Sequence, residues 1–282
     1  MTRKEKIVKM HALVFAWFAK NGRDLPWRRT KDPYAILVSE IMLQQTQVDR
    51  VIPKWEAFLE RFPTWQKLAG AKQSDVIRLW HGLGYNRRAM NLHRLAKAVV
   101  ELGGLPEDPN VMIDLPGIGP YTSNAVAAFA FRHADAAPVD TNIERIFKRV
   151  FNVYSADRRS IERLVFNARP KDTWTWNHAL MDIGALHCTA RHHDWKTCPL
   201  AELHGMKARR DEDLRIPKQS KFENSDRMFR GRIVSALRTA DLDPDKLALV
   251  IQLGDEERFG KILTSLISDG IVSENRGILS LA

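Results

Sequence analysis

Glu40 and Asp140 are the two carboxyl groups whose neighbours in the sequence invite chemistry. Glu40 lies in an otherwise apolar run, VSEIMLQQTQV. A carboxyl set among Ile41, Met42 and Leu43 would be partly buried, and burial raises a carboxyl pKa toward what a general acid needs. A solvent-facing glutamate is the plainer alternative. Gln44, four residues on, would share the face of Glu40 on a continuous helix. Asp140 precedes a helical pattern in PVDTNIERIFKRV, with Asn142 two residues later. A capping aspartate is the commoner fate there. Between them runs LPGIGPYTSNAVAAFAF, in which Gly117 and Gly119 flank Ile118 just before a helix. Such a turn can hold a phosphate on backbone N–H groups. It can equally be an ordinary corner between two helices, and spacing alone leaves both open.

The elements that must position these residues read as helices through the first 205 residues. Asp32-Pro33 opens one over AILVSEIMLQQTQV. Ile52-Pro53 opens the next, which stops before Pro63. Ser74 caps a short helix through Trp80, and RRAMNLHRLAKAVVEL follows, closed by Gly103-Gly104. Further helices are expected over 121–131, 142–152, 160–168 and 173–187, with Trp80 and Trp176 in the core. Residues 206–224 are polar and basic without apolar periodicity, as a linker would be. From 225 to 282, three short helices and an alternating segment around Asn275-Arg276-Gly277 suggest a small winged-helix-like domain.

Composition fits a nucleic-acid partner. The chain has 282 residues, with 44 Lys and Arg against 34 Asp and Glu, a net charge of +10. That excess favours a polyanion. With 28% charged residues and no long apolar run, neither a membrane protein nor a disordered chain is expected. Two cysteines exclude a disulfide framework. The N-terminal segment reads as an amphipathic helix rather than a secretory leader. The expected setting is therefore soluble and cytoplasmic, on nucleoid DNA, with a monomer as the default. Arg28, Arg29, Arg87, Arg88 and Arg94 are candidate phosphate contacts, and solvated helix surface is the alternative for any one of them.

Taken in order, LPWRRTKDPYAILVSEIMLQQTQV, GLGYNRRAMNLHRLA, LPGIGPYT and PVDTNIERI resemble the MutY branch of the helix-hairpin-helix DNA glycosylases. The resemblance spans roughly residues 10–205. It implies an all-α fold of two lobes with the DNA cleft between them, acting in base excision repair on double-stranded DNA that carries a mispaired or damaged base. It also implies roles. Glu40 would protonate a mispaired adenine and Asp140 would stabilise the cationic sugar, with Asn142 and Tyr121 in support. Gln44 and Gln45 would wedge into the duplex as the base is extruded. Gly117 and Gly119 would bind a phosphate, with Arg87 and Arg88 as further DNA contacts. Bifunctional relatives such as endonuclease III carry a lysine at position 121. Tyr121 therefore predicts a monofunctional enzyme without efficient lyase activity.

The chain departs from this pattern in four places. The branch usually ends its core with four cysteines, C-x6-C-x2-C-x5-C, around a 4Fe–4S cluster. Here those positions hold Cys188, Trp195, Cys198 and His204. Two thiolates do not make that ligand set, so no cluster and no cofactor are expected. A zinc set of Cys188, Cys198, His204 and either His192 or His193 is the minor alternative. The roughly 58 residues after the linker are too few for the Nudix-like domain that reads 8-oxoguanine. Asn86 and Thr141 also differ from the branch's usual residues. Three functions stay open: an adenine glycosylase acting opposite 8-oxoguanine or guanine, a thymine or uracil mismatch glycosylase of the same fold, and a non-catalytic lesion-binding protein.

Overall fold

The computed structural model describes residues 1–189, 196–204 and 221–282. The expected linker, 206–224, and the positions of His192, His193 and Trp195 thus lie wholly or largely outside the described residues. Among the described residues the fold is all-α apart from one terminal hairpin. Fourteen helices are described: α1 Arg3–Asn21, α2 Pro33–Leu43, α3 Val48–Arg61, α4 Trp65–Ala69, α5 Gln73–Trp80, α6 Arg87–Glu101, α7 Pro109–Met112, α8 Pro120–Phe129, α9 Thr141–Phe151, α10 Arg158–Ala168, α11 Thr173–Leu186, α12 Asp226–Leu237, α13 Pro244–Ile251 and α14 Glu256–Ser268. Two short strands close the chain, β1 Val272–Asn275 and β2 Ile278–Leu281. No described helix is long and apolar enough to cross a membrane.

The chain forms two compact units, each drawn from separate stretches. The first comprises Met1–Ile36, Pro106–Ile113 and Ile118–Lys218. Its core joins Met10 and Val14 of α1 to Ile143, Ile146 and Phe147 of α9 and to Trp176 and Ile183 of α11. Local chemistry sets the helix starts. Thr2 and Glu5 form a reciprocal cap on α1. Asp140, Asp157 and Asp172 cap α9, α10 and α11 with their carboxylates. Beneath the core, Asp182 is fully buried and takes both Arg23 (2.6 Å) and Arg28 (2.8 Å).

The second unit comprises Leu37–Leu105, Asp114–Gly117 and Gln219–Ala282. Val51, Phe58, Leu68, Trp80, Leu92 and Leu95 are buried in it. The terminal residues form the expected three helices and hairpin, with Val272 opposite Leu281 in an antiparallel pair. Leu242 exchanges both backbone bonds with Leu279 as an isolated antiparallel bridge at the edge of β2. Asp269, just past α14, accepts Arg230 at 2.6 Å and Arg87 at 3.5 Å, and its carbonyl accepts Arg94 at 3.0 Å. These bonds tie residues 225–282 to α6.

Three expectations are corrected. Ser74 does not cap the short helix before Trp80, because α5 starts at Gln73 with Lys72 at its cap position. The helix carrying Glu40 does not run on through QQTQV. It ends at Leu43, so Gln44 and Gln45 lie in a turn and Gln44 does not extend the face of Glu40. The next helix starts at Val48 rather than at Pro53, which sits inside α3. Pro53 is the sixth residue of α3, beyond the N–H groups that a helix start leaves unpaired, so the helix forgoes one i→i−4 bond there.

Candidate active site

In the first unit, Asp140 stands at the N-terminus of α9. One carboxylate oxygen accepts the Ile143 N–H at 2.7 Å and the other accepts the Asn142 side-chain amide at 2.9 Å. The carboxylate therefore caps its helix and is also held by a neighbouring side chain. Burial pushes its pKa up from the ordinary 3.8, while these hydrogen bonds and nearby Arg145 pull the other way.

Behind Asn142 lies a residue the sequence did not single out. Arg145, 5% exposed, donates Nη2 to Asn142 Oδ1 at 2.5 Å, Nη1 to the Thr141 carbonyl at 3.2 Å and Nε to the Cys188 carbonyl at 2.5 Å. The guanidinium thus fixes the Asn142 amide with its N–H₂ toward Asp140. Gly184 on α11 makes room for this arrangement, since a Cβ there would lie 2.4 Å from the Asn142 Cβ. Arg145 follows Asn142 by three residues, one helical turn, and that was the only signal available in the sequence.

Cys188 is buried, and its Sγ accepts Arg149 Nη1 at 2.8 Å. Cys198 Sγ lies 3.7 Å from His204 Nε2. Among the described residues, no group of three or more His, Cys, Asp or Glu side chains is placed to hold a metal ion. The chain's two cysteines cannot supply the four thiolates of a 4Fe–4S cluster, and one of them is engaged by an arginine. These residues do not fit that group.

The second unit holds Glu40. It lies one turn before the end of α2 and is 7% exposed, among Leu37, Ile41 and Met42, all nearly inaccessible. Gln45 follows in the left-handed region, φ +57°, and is exposed. Arg88 does not point outward as a free phosphate contact would. Its guanidinium donates to the carbonyls of Ile41, Met42, Gln44, Leu83 and Gly84. Arg87 remains largely exposed beside Asp269. Of the other candidate arginines, Arg28 is spent on Asp182, Arg29 pairs with Asp24, and Arg94 bonds Asn91 and the Asp269 carbonyl.

In the turn between α7 and α8, Gly117 is required twice over. Its φ is +78°, and a Cβ would lie 2.7 Å from the Asn91 Cβ. Gly119 caps α8 without a side-chain bond, and Tyr121 is half-buried on the first turn of that helix.

Residues 38–168 match the model of the HhH-GPD superfamily base excision DNA repair proteins. The adenine DNA glycosylase of Mycolicibacterium smegmatis is 37% identical over 93% of this chain and 92% of its own. The adenine DNA glycosylase of Homo sapiens is 37% identical over 70% of this chain and 39% of its own. Among solved structures, a thermostable thymine-DNA glycosylase superposes with a TM-score of 0.66 at 29% identity, covering 71% of this chain and 96% of that one. Endonuclease III in a non-covalent DNA complex superposes at 0.64 with 23% identity, a likeness of fold.

Proposed function

Because the chain belongs to the adenine DNA glycosylase family within the HhH-GPD superfamily, we propose that it removes adenine mispaired with 8-oxoguanine or guanine and leaves the DNA strand intact. The observation that carries this reading is the likeness to an adenine DNA glycosylase over more than nine-tenths of both chains. The held carboxylate of Asp140 and the buried carboxyl of Glu40 supply the chemistry. Glu40, screened from bulk water, gives a proton to the adenine ring and makes it a neutral leaving group. The C1′–N9 bond breaks, and ionised Asp140 faces the cationic sugar until water adds at C1′ and returns a proton to the site. Asn142, steered by Arg145, keeps Asp140 aimed.

Three finer points belong to the proposal. Tyr121 offers no amine for a Schiff base, so strand cleavage waits for alkali. The chain works without an iron–sulfur cluster, a reading supported by its two cysteines and the Arg149 bond to one of them. The enzyme acts as a monomer on nucleoid DNA, in keeping with its charge of +10.

The test is a single-turnover panel of labelled duplexes carrying A·8-oxoguanine, A·G, T·G and U·G. Scission at adenine only after alkali is expected. The structural likeness to a thymine-DNA glycosylase supports a second reading, excision of thymine or uracil opposite guanine. Scission confined to T·G or U·G would establish it and overturn the first. Protein without iron or acid-labile sulfide that still excises adenine would meet the cluster-free expectation.

A further inference from the structure

We infer that Arg88 is a positioning residue that locks the end of the Glu40 helix to the Gly82–Tyr85 turn, and that it makes no phosphate contact. The inference rests on the glycosylase reading above. As the second residue of α6, beside exposed Arg87, Arg88 occupies the place of a solvent-facing cation. Instead its Nη1 donates to the carbonyls of Ile41 (2.8 Å), Met42 (3.0 Å) and Gln44 (2.6 Å). Its Nη2 donates to the carbonyls of Leu83 (3.0 Å) and Gly84 (3.1 Å) and to Thr46 Oγ1 (3.2 Å).

These acceptors need a partner. The last carbonyls of α2 have none within their own helix, and a cation at a helix C-terminus is also favoured by the helix dipole. The ring faces of Trp80 and Tyr85 flank the guanidinium, with centroids 5.4 and 5.6 Å away. Desolvation there pushes the Arg88 pKa down to about 10, a cost that an outward-facing arginine would not bear.

The two turns it joins each hold a non-glycine residue in the left-handed region, Gln45 at φ +57° and Tyr85 at φ +49°. Such backbone persists only where the surroundings hold it. Arg88 therefore does two things at once. It fixes the helical turn that bears Glu40, and it stiffens the Gln44–Gln45 turn proposed to enter the duplex. Lysine carries a single ammonium and cannot reach both sets of carbonyls.

The experiment compares wild type, Arg88→Lys and Arg88→Ala, after a thermal melt has identified which variants fold. Lysine keeps the charge, so it carries the test where alanine does not fold. Three quantities are read: single-turnover adenine excision, fluorescence of 2-aminopurine at the target position as a report of base extrusion, and the salt dependence of affinity for undamaged duplex. We expect Arg88→Lys to lower excision about 100-fold and abolish the extrusion signal, as a misplaced catalytic turn would. Affinity for undamaged duplex and its salt slope should not change. A slope shallower by about 1 in the alanine variant would mean a lost phosphate contact and overturn the inference. Full excision by Arg88→Lys would overturn it too. A wild-type protein that excises no base would instead sink the glycosylase reading, while the extrusion and salt measurements would still judge Arg88.

Discussion

Gly184 and Asn142 meet so closely that a methyl group on the glycine would lie 2.4 Å from the asparagine Cβ. A mid-helix glycine is normally improved by alanine, which gains roughly 1 kcal/mol of helix propensity. Here the sign reverses. Gly184→Ala must push α11 from α9 or turn the Asn142 amide away from Asp140. We expect a loss of about 1–3 kcal/mol in urea denaturation. Single-turnover excision should fall about 10-fold or more from misalignment. A variant as stable and as active as wild type would show that this contact does not hold Asn142 in place.

Acid should switch the enzyme off at a higher pH than an ordinary aspartate would. Burial raises the Asp140 pKa above 3.8, and the Ile143 and Asn142 hydrogen bonds lower it only in part. Excision needs the ionised form, so the rate falls as pH drops through this raised pKa. The stability effect has the opposite sense. Ionised Asp140 costs the fold stability above its folded pKa, and that cost disappears as the group protonates. Asn142→Ala removes one lowering bond, so the acid limb of its pH–rate profile should move further up. A limb that stays in place would show that the amide does not support the carboxylate.

Asp182 tests the first unit's buried charges. Burial alone would raise its pKa, but Arg28 and Arg23 outweigh that and leave it lowered. A depressed pKa means the pair stabilises the fold above the unfolded value and loses that contribution only as pH falls through the folded one. Asp182→Ala leaves Arg28 buried and unpaired, a loss of about 3–5 kcal/mol. Chemical denaturation at neutral pH measures it, and a loss below about 1 kcal/mol would place the pair in the weak class of exposed bridges.

The terminal module should contribute little to DNA affinity. Residues 225–282 carry eight basic and nine acidic residues, a net −1 within a chain of +10. The first turn of α14 holds Glu256 and Glu257. Neutralising the outward cations Lys261 and Arg276 should therefore leave the slope of log affinity against log salt unchanged. A slope shallower by about 1 for either change would make the module a phosphate-contacting wing.

The helices were legible because their starts are chemically marked. Asp32 before Pro33 and Asp140 before Thr141 announce helices that the structure contains. The terminal hairpin was legible from alternation around Asn275-Arg276-Gly277. What sequence could not show is where a regular apolar pattern stops being one helix. VSEIMLQQTQV reads as continuous, yet Gln45 turns left-handed because Arg88, more than forty residues away, takes up the carbonyls at the helix end. α4 went unread for a related reason. Its five residues are too few to show a period, and packing against α6 sustains it. Long-range partners also hid Arg145, whose Cys188 acceptor lies 43 residues on.

The discontinuity of the first unit bears on how the chain is made. α1 leaves the ribosome well before α11, yet Arg23 just beyond α1 pairs with Asp182 of α11, 159 residues later. At 5–20 residues per second, that interval is roughly ten to thirty seconds. Through it the apolar side of α1, with Met10 and Val14, lacks the part of its core that α11 supplies, Trp176 and Ile183. Vectorial synthesis thus leaves α1 incompletely covered, and open to chaperones, until α11 has emerged.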